Sequence, residues 1–527
     1  MTTRKVSKFL AVHAMATAAV AATVLSPPIS VRAAILMENP AQISPDTDPA
    51  MWDDTTEVWI AKDSDQNASM ILNGQGGITT VNIKNTIIGK GAHGTGELTV
   101  TGNGTTWNSD TLYLGYTNGS NGFLYINDGA SVTANRIDLS CPSGSSRYAQ
   151  STGSITLTNN STLTGTGNVV YIGGVNGTGI IDVLSGSTFN SKGIAIVGGA
   201  TAGTSYGFVT VDGEGSTWNH DGNIEIALFY ETSIGELNIS NGGLVAAKRL
   251  ITLQGTASIN FNGGTLKPLV SEASFIHGKY HALTLTDTAS RPALTMQVDD
   301  GLSVGVTQVF TGTGGIAKTG GGTFTLNGNQ AYTGLTDVKD GTFMGKASFA
   351  GSLAVRDGGI YAPGGASNAD KVWTTNIAKN YTQNSGGTLM LDVGKNGSDM
   401  LVVGGNVSLG GILELVFNGK LDADYYVLID NLGSKAVNGF FSDILFGNDW
   451  VELTYMVGTG GGGWFMVDDV TYYLTYAGDS ATGSIYGGND VILSLTGSGS
   501  YTPAVPEPAS LSLLGLGAAA LIARRRK

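Results

Sequence analysis

The chain's densest group of polar side chains with chemical potential is Asp212, Glu214, His220 and Asp221. Carboxylates close to an imidazole can serve as general acid and base, or can hold a cation. The surrounding stretch is a repeat, however. Thr99-Val-Thr-Gly-Asn-Gly-Thr-Thr-Trp-Asn108 returns as Thr210-Val-Asp-Gly-Glu-Gly-Ser-Thr-Trp-Asn219, and the first copy carries Thr101, Asn103, Ser109 and Asp110 at the corresponding places. The four residues therefore read as decoration on a repeating solvated turn. His277 and His281 have the four-residue spacing that pairs metal ligands on a helix. No Glu follows His277, and Phe275, Ile276, Leu283 and Leu285 around the pair predict strand, where i and i+4 stand about 13 Å apart. No Walker loop, strand-to-helix glycine fingerprint or nucleophile elbow is present. The expectation is no catalytic residue, no cofactor and no metal site.

The elements that would position such residues are short strands. Gly supplies 79 of 527 residues, about twice its usual share, while charged residues make up 13%. That balance excludes coiled coils and ordinary helical enzymes, and 41% hydrophobic residues exclude a disordered linker. The single Cys141 rules out an internal disulfide. An alternating apolar strand, usually opened by Gly, starts at Gly96, Gly122, Gly153, Gly179, Gly207, Gly235 and Ala257, a mean step of about 27 residues. Trp107 and Trp218 lie four such steps apart, with Phe189 in a degraded copy, and are expected in the core rather than as sugar platforms. A step of 20–30 residues without helical segments predicts one turn of a parallel β-helix, since a propeller blade needs about 40. About 17 turns would follow if the whole body coils, a rod on the order of 80 Å. Asn127-Asp128-Gly129 and Ser240-Asn241-Gly242 predict tight turns with positive φ.

Both ends read as addresses. Residues 1–34 carry Arg4, Lys5 and Lys8, an apolar run from Phe9 to Leu25, and the small-residue close Val31-Arg32-Ala33-Ala34, which is the order of a secretory signal peptide. A retained anchor is the alternative. The tail reads Val505-Pro506-Glu507-Pro508, an apolar stretch from Ala509 to Ala523, then Arg524-Arg525-Arg526-Lys527. Fifteen apolar residues only just enter a bilayer as a helix, and the basic cluster stops transfer. Taking away the leader (four basic) and the tail (four basic, one acidic) leaves 20 basic against 40 acidic residues, net −20. Such a field repels nucleic acid and anionic surfaces but not neutral glycans or divalent cations.

Three resemblances add to this. The tail resembles the PEP-CTERM sorting signal in all three parts, which implies recognition by an exosortase-type sorting enzyme. It also implies transient inner-membrane insertion, removal of the tail, and delivery to the envelope or matrix of a Gram-negative bacterium that makes exopolysaccharide. Gly314–Phe343 resembles the autotransporter-associated β-strand repeat, and segments such as Gly387-Thr-Leu-Met-Leu-Asp392 and Leu409-Gly-Gly-Ile-Leu-Glu-Leu415 resemble distal autotransporter passengers. The family implies a right-handed parallel β-helix, but the membrane barrel of an autotransporter is missing here. Tyr486-Gly-Gly-Asn-Asp490 resembles a fragment of a calcium-binding repeat, whose sites need stacked copies; the chain has one.

The reading is thus an all-β, right-handed parallel β-helix (solenoid) with an N-terminal signal helix and a C-terminal sorting helix. Its parts are the signal peptide (1–34), an N-terminal cap and first coils (35–95), repeats of about 27 residues (96–265), a connector or insertion (266–310), the autotransporter-associated repeat (311–366), a distal passenger-like part and cap (367–500) and the sorting tail (501–527). Within the distal part, Gly458-Thr-Gly-Gly-Gly-Gly463 reads as a flexible loop. The expected function is that of a non-enzymatic, secreted structural or adhesive protein of the cell surface or matrix. Its expected partners are the secretion translocon, the sorting enzyme and extracellular polysaccharide. The alternatives are a polysaccharide lyase or hydrolase on the same scaffold, and a passenger exported with a separate barrel partner.

Overall fold

A computed structural model describes residues 35–46, 51–74, 79–140, 150–199, 203–365, 372–418, 421 and 423–497. The signal segment, Cys141 and the sorting residues Val505, Pro506, Glu507, Pro508, Arg524, Arg525 and Arg526 lie outside the described residues, as do the segments for which the sequence predicts terminal helices.

Alternation fixes the basic element. In Thr95–Thr101 the side chains of Leu98 and Val100 are buried while Glu97 and Thr99 face outward. The next strand, Thr106–Leu114, pairs continuously with its neighbours except at exposed Asp110, where it bends. Further along, two separate strands, Thr162–Gly165 and Val169–Ile172, pair with the two halves of Thr188–Val197. Each turn therefore contributes three strand segments, and stacked turns form three faces around one continuous apolar interior. Each buried Leu, Ile or Val contributes about 1.5–3 kcal/mol. Because a turn touches only its neighbours, those contributions act turn by turn.

The sequence repeat is also the structural register. Gly96, Gly122, Gly153, Gly179, Gly207, Gly235 and Ala257 pair in one column on the first face. Trp107 aligns through Val132, Leu163 and Phe189 with Trp218, four pairings away. Both tryptophans are fully buried, and Phe189 stacks on Trp218 at 5.5 Å between centroids. The predicted tight turns have positive φ at Asp128 and Gly129 and at Asn241 and Gly242.

The step is not constant. It is 26 residues from Thr95 to Asn121, 20 from Ile316 to Thr336 and 17 from Thr336 to Leu353. Residues 266–310 supply rungs as well, including Glu272–His277 and Ser303–Val306, with a register irregularity between Glu272 and Ile276. The solenoid has about 14 turns rather than 17, roughly 65 Å at about 4.8 Å per turn. The difference is taken up at the two ends, where the chain forms antiparallel strands instead of coils.

Both ends are closed by antiparallel strands. Ile35–Glu38 pairs antiparallel with Asn67–Leu72, and Ile43–Ser44 with Glu57–Ile60. At the other end the rung Tyr425–Asn431 is followed in its sheet by Asp490–Ser494, Val470–Gly478, Gly463–Val467 and Thr454–Tyr455, all antiparallel. A hairpin of Asp443–Phe446 and Asp449–Val451 closes the neighbouring face. Such closure removes the open template edge that a parallel stack would present. The glycine-rich stretch 458–463 is not a loose loop: buried Thr459 donates its hydroxyl to the carbonyls of Met456 and Gly462.

Candidate functional site

The carboxylate and imidazole group of the sequence does not converge. Asp212 ends a first-face strand and accepts bonds from the Ser240 hydroxyl and the Asn241 amide. Glu214 pairs with Arg291 at 2.8 Å, and Asp221 with Lys248 at 2.7 Å. His220 corrects the turn reading outright, because it lies inside the strand Thr217–Ile226 and is fully buried. Alternation places it on the same side as Trp218.

Its setting was not legible in the sequence. The Trp218 indole N–H donates to Ser191 Oγ at 2.9 Å, Ser191 Oγ lies 2.9 Å from His220 Nδ1, and His220 Nε2 lies 3.0 Å from the Asn223 carbonyl. A carbonyl only accepts, so Nε2 carries the proton and Ser191 donates to Nδ1. Burial pulls the imidazole pKa down to about 4, keeping it neutral. The pair has the polarity of a nucleophile and its base, but both side chains point into the sealed core. Its chemistry is that of a buried polar network that seats an indole.

The remaining motifs are occupied in similar ways. His277 ends a strand beside Ser274, and Gly278–Tyr280 separate it from the next strand, which begins at Ala282 after His281. Asp490 accepts the backbone N–H groups of Asn431 and Ser480, and Asn489 donates to the carbonyls of Asn431 and Gly433. This fragment ties the cap to the last rung.

Two buried groups were missed because nothing local marks them. Asp399 accepts from the Trp373 N–H at 2.6 Å and the Asp392 N–H at 3.2 Å. Burial raises its carboxyl to about 7, and the Asp392 charge adds to the rise. Lys318 is buried with its ammonium donating to the carbonyls of Thr319, Gly320 and Asp340, and burial lowers its pKa to about 8.

The outer faces carry order of a different kind. On the second face Thr80, Thr106, Ser131, Thr162, Thr188 and Thr217 form one outward column. Asn82, Asn108, Thr133, Thr164, Asn190 and Asn219 form the next. Asn108 donates to Asn82 at 2.8 Å and Asn219 to Asn190 at 3.0 Å in the second of these columns, and Thr106 donates to Thr80 at 2.9 Å in the first, so side chains on adjacent turns are bonded at these places. On the third face Tyr113, Asp138 and Tyr171 share a column, with the Arg136 guanidinium 5.9 Å from each ring and bonded to Asp138. Burial raises the Asp138 carboxyl pKa, and Arg136 opposes the rise.

Among the described residues no helix is long and apolar enough to cross a membrane. No curated protein matches the chain. Residues 504–527 match the PEP-CTERM protein-sorting motif, and together with the β-solenoid body this marks the chain as an exported protein of a Gram-negative cell envelope, addressed to exosortase-type sorting machinery.

Proposed function

We propose that the exported body is a non-enzymatic rod of the cell surface or extracellular matrix, which spaces, coats or adheres through repeated weak contacts to glycan. The observation that carries this is the hydroxyl and amide ladder on the second face, six turns long in one register. Repetition multiplies weak contacts into avidity without any single strong site. Tyr113 and Tyr171, with the Arg136 guanidinium beside both rings, add aromatic surface on the neighbouring face. The body's net charge of −20 favours neutral over acidic polymers. Export begins at the secretion translocon, and the tail enters the inner membrane transiently before its removal. Glycan-array and cell-adhesion assays on residues 35–504 test this, with binding to neutral polysaccharide expected. No binding to any surface, combined with turnover of a polysaccharide, would reverse it in favour of a lyase or hydrolase.

A further inference from the structure

The C-terminal cap holds a cleft that the ladders do not explain. Two hairpin tips form its lips: Gly447–Asn448, joining Phe446 to Asp449, and Asp468–Asp469, joining Val467 to Val470. Between them lies a volume of about 510 Å³, inside the range of about 300–1,000 Å³ typical of small-ligand clefts. Its floor is aromatic. The Phe446 ring centroid stands 4.2 Å from Phe417 and 4.5 Å from Tyr472. Its rim is polar, with Asn448, Asp449 and Asp468. Asp468 and Asp469 both hold positive φ, 49° and 62°, in a turn where Asn-Gly would fit more easily.

We infer that this cleft binds a neutral polysaccharide, one or two sugar rings at a time; the inference rests on the glycan-contact reading above and deepens it. Aromatic rings take the C–H face of a pyranose, while carboxylate and amide oxygens accept its hydroxyls. Charge selects the class. Among the described residues the lining holds two carboxylates and no basic side chain, on a body of net −20, so a uronate or sulfated chain is repelled. The cleft and the ladders then divide the work. The cap grips a chain at one point, and the faces hold it along its length.

The test uses the full chain in mild detergent with cellohexaose, laminarihexaose, mannohexaose and hexagalacturonate, read by saturation-transfer NMR and calorimetry. Saturable binding of at least one neutral hexasaccharide is expected. Asn448→Trp, which fills the mouth from an exposed hairpin tip, and the double change Asp449→Ala with Asp468→Ala are each expected to weaken it at least about tenfold, with unchanged circular dichroism. Equal binding of hexagalacturonate, or no neutral binding, overturns the inference. So does neutral binding that both variants leave untouched, an outcome that would keep the ladder reading alive. An oligomer that Asn448→Trp turns into monomer would put a second copy in the cleft and overturn it too.

Discussion

Trp218 donates its indole N–H to Ser191 one turn earlier in the stack, and Trp107 donates to Thr86 at the same 2.9 Å. Each of these two indoles thus has a hydroxyl seat supplied by its neighbour, which ties side-chain chemistry to turn-to-turn register. Ser191→Ala strands both the indole N–H and His220 Nδ1, at a cost of about 1–3 kcal/mol for each buried orphan. Hydrogen exchange should accelerate in Thr188–Val197 and Thr217–Ile226 and leave distant turns alone. Unchanged protection there would show that the seat contributes nothing.

His220 gives the same region a pH dependence. Its pKa falls from an ordinary value near 6.5 to about 4 on folding, so the neutral ring stabilises the fold above pH 6.5. That contribution is lost as pH falls towards 4, and amounts to on the order of 3 kcal/mol at 1.36 per unit. His220→Ser copies Ser109 of the related turn and should flatten the local exchange profile between pH 6.5 and 4. A variant that retains the wild-type slope would assign the titration to another group.

Asp399 works in the opposite direction. Its carboxyl is raised from 3.8 to about 7, so its stabilising contribution is complete below pH 4 and disappears as pH rises through 7. In a whole-chain melt this trend offsets that of His220, and only site-resolved exchange separates them. Asp399→Asn keeps the bond from the Trp373 N–H and removes the titration. Exchange in Thr388–Gly394 should become independent of pH between 4 and 7; a persisting slope would contradict the buried-acid assignment.

What the sequence disclosed and what it concealed follow from the range of the interactions. The glycine spacing and the 111-residue offset of Trp107 and Trp218 are properties of a one-dimensional repeat, and in-register stacking carries them directly into space. The bend at Asp110 shifts the phase of alternation, from Trp107 and Ser109 inward to Leu112 and Leu114 inward, and the few residues on either side are too short a run to mark that shift as a corner. His220 faces the core because it lies two residues past Trp218 in the same strand, although its polar neighbours suggest a solvated turn. Asp399 and the cap cleft depend on contacts across separate strands, such as Trp373 with Asp399 and Phe417 with Phe446, which no local window contains. The carboxylates of the acidic group failed to meet because each had a nearer partner: Arg291, Lys248, or Ser240 with Asn241.

The glycine column separates two reasons for the same residue. At Gly122 a Cβ would stand 2.3 Å from the Ile88 carbonyl oxygen and 2.5 Å from the Gly115 nitrogen, both backbone atoms of adjoining turns. Nothing there can yield without unstacking a rung, so Gly122→Val should cost on the order of 3 kcal/mol or more and shift the protein towards insoluble, protease-sensitive material. Gly104 differs: its φ is 81°, and a Cβ would meet nothing within 4 Å. Only the backbone conformation resists a side chain at that turn, and Asn tolerates that region best, so Gly104→Asn should cost less than about 1 kcal/mol. Limited proteolysis of the two variants measures the contrast. Equal tolerance at both positions would mean that the close approach of neighbouring turns does not govern where this chain needs glycine.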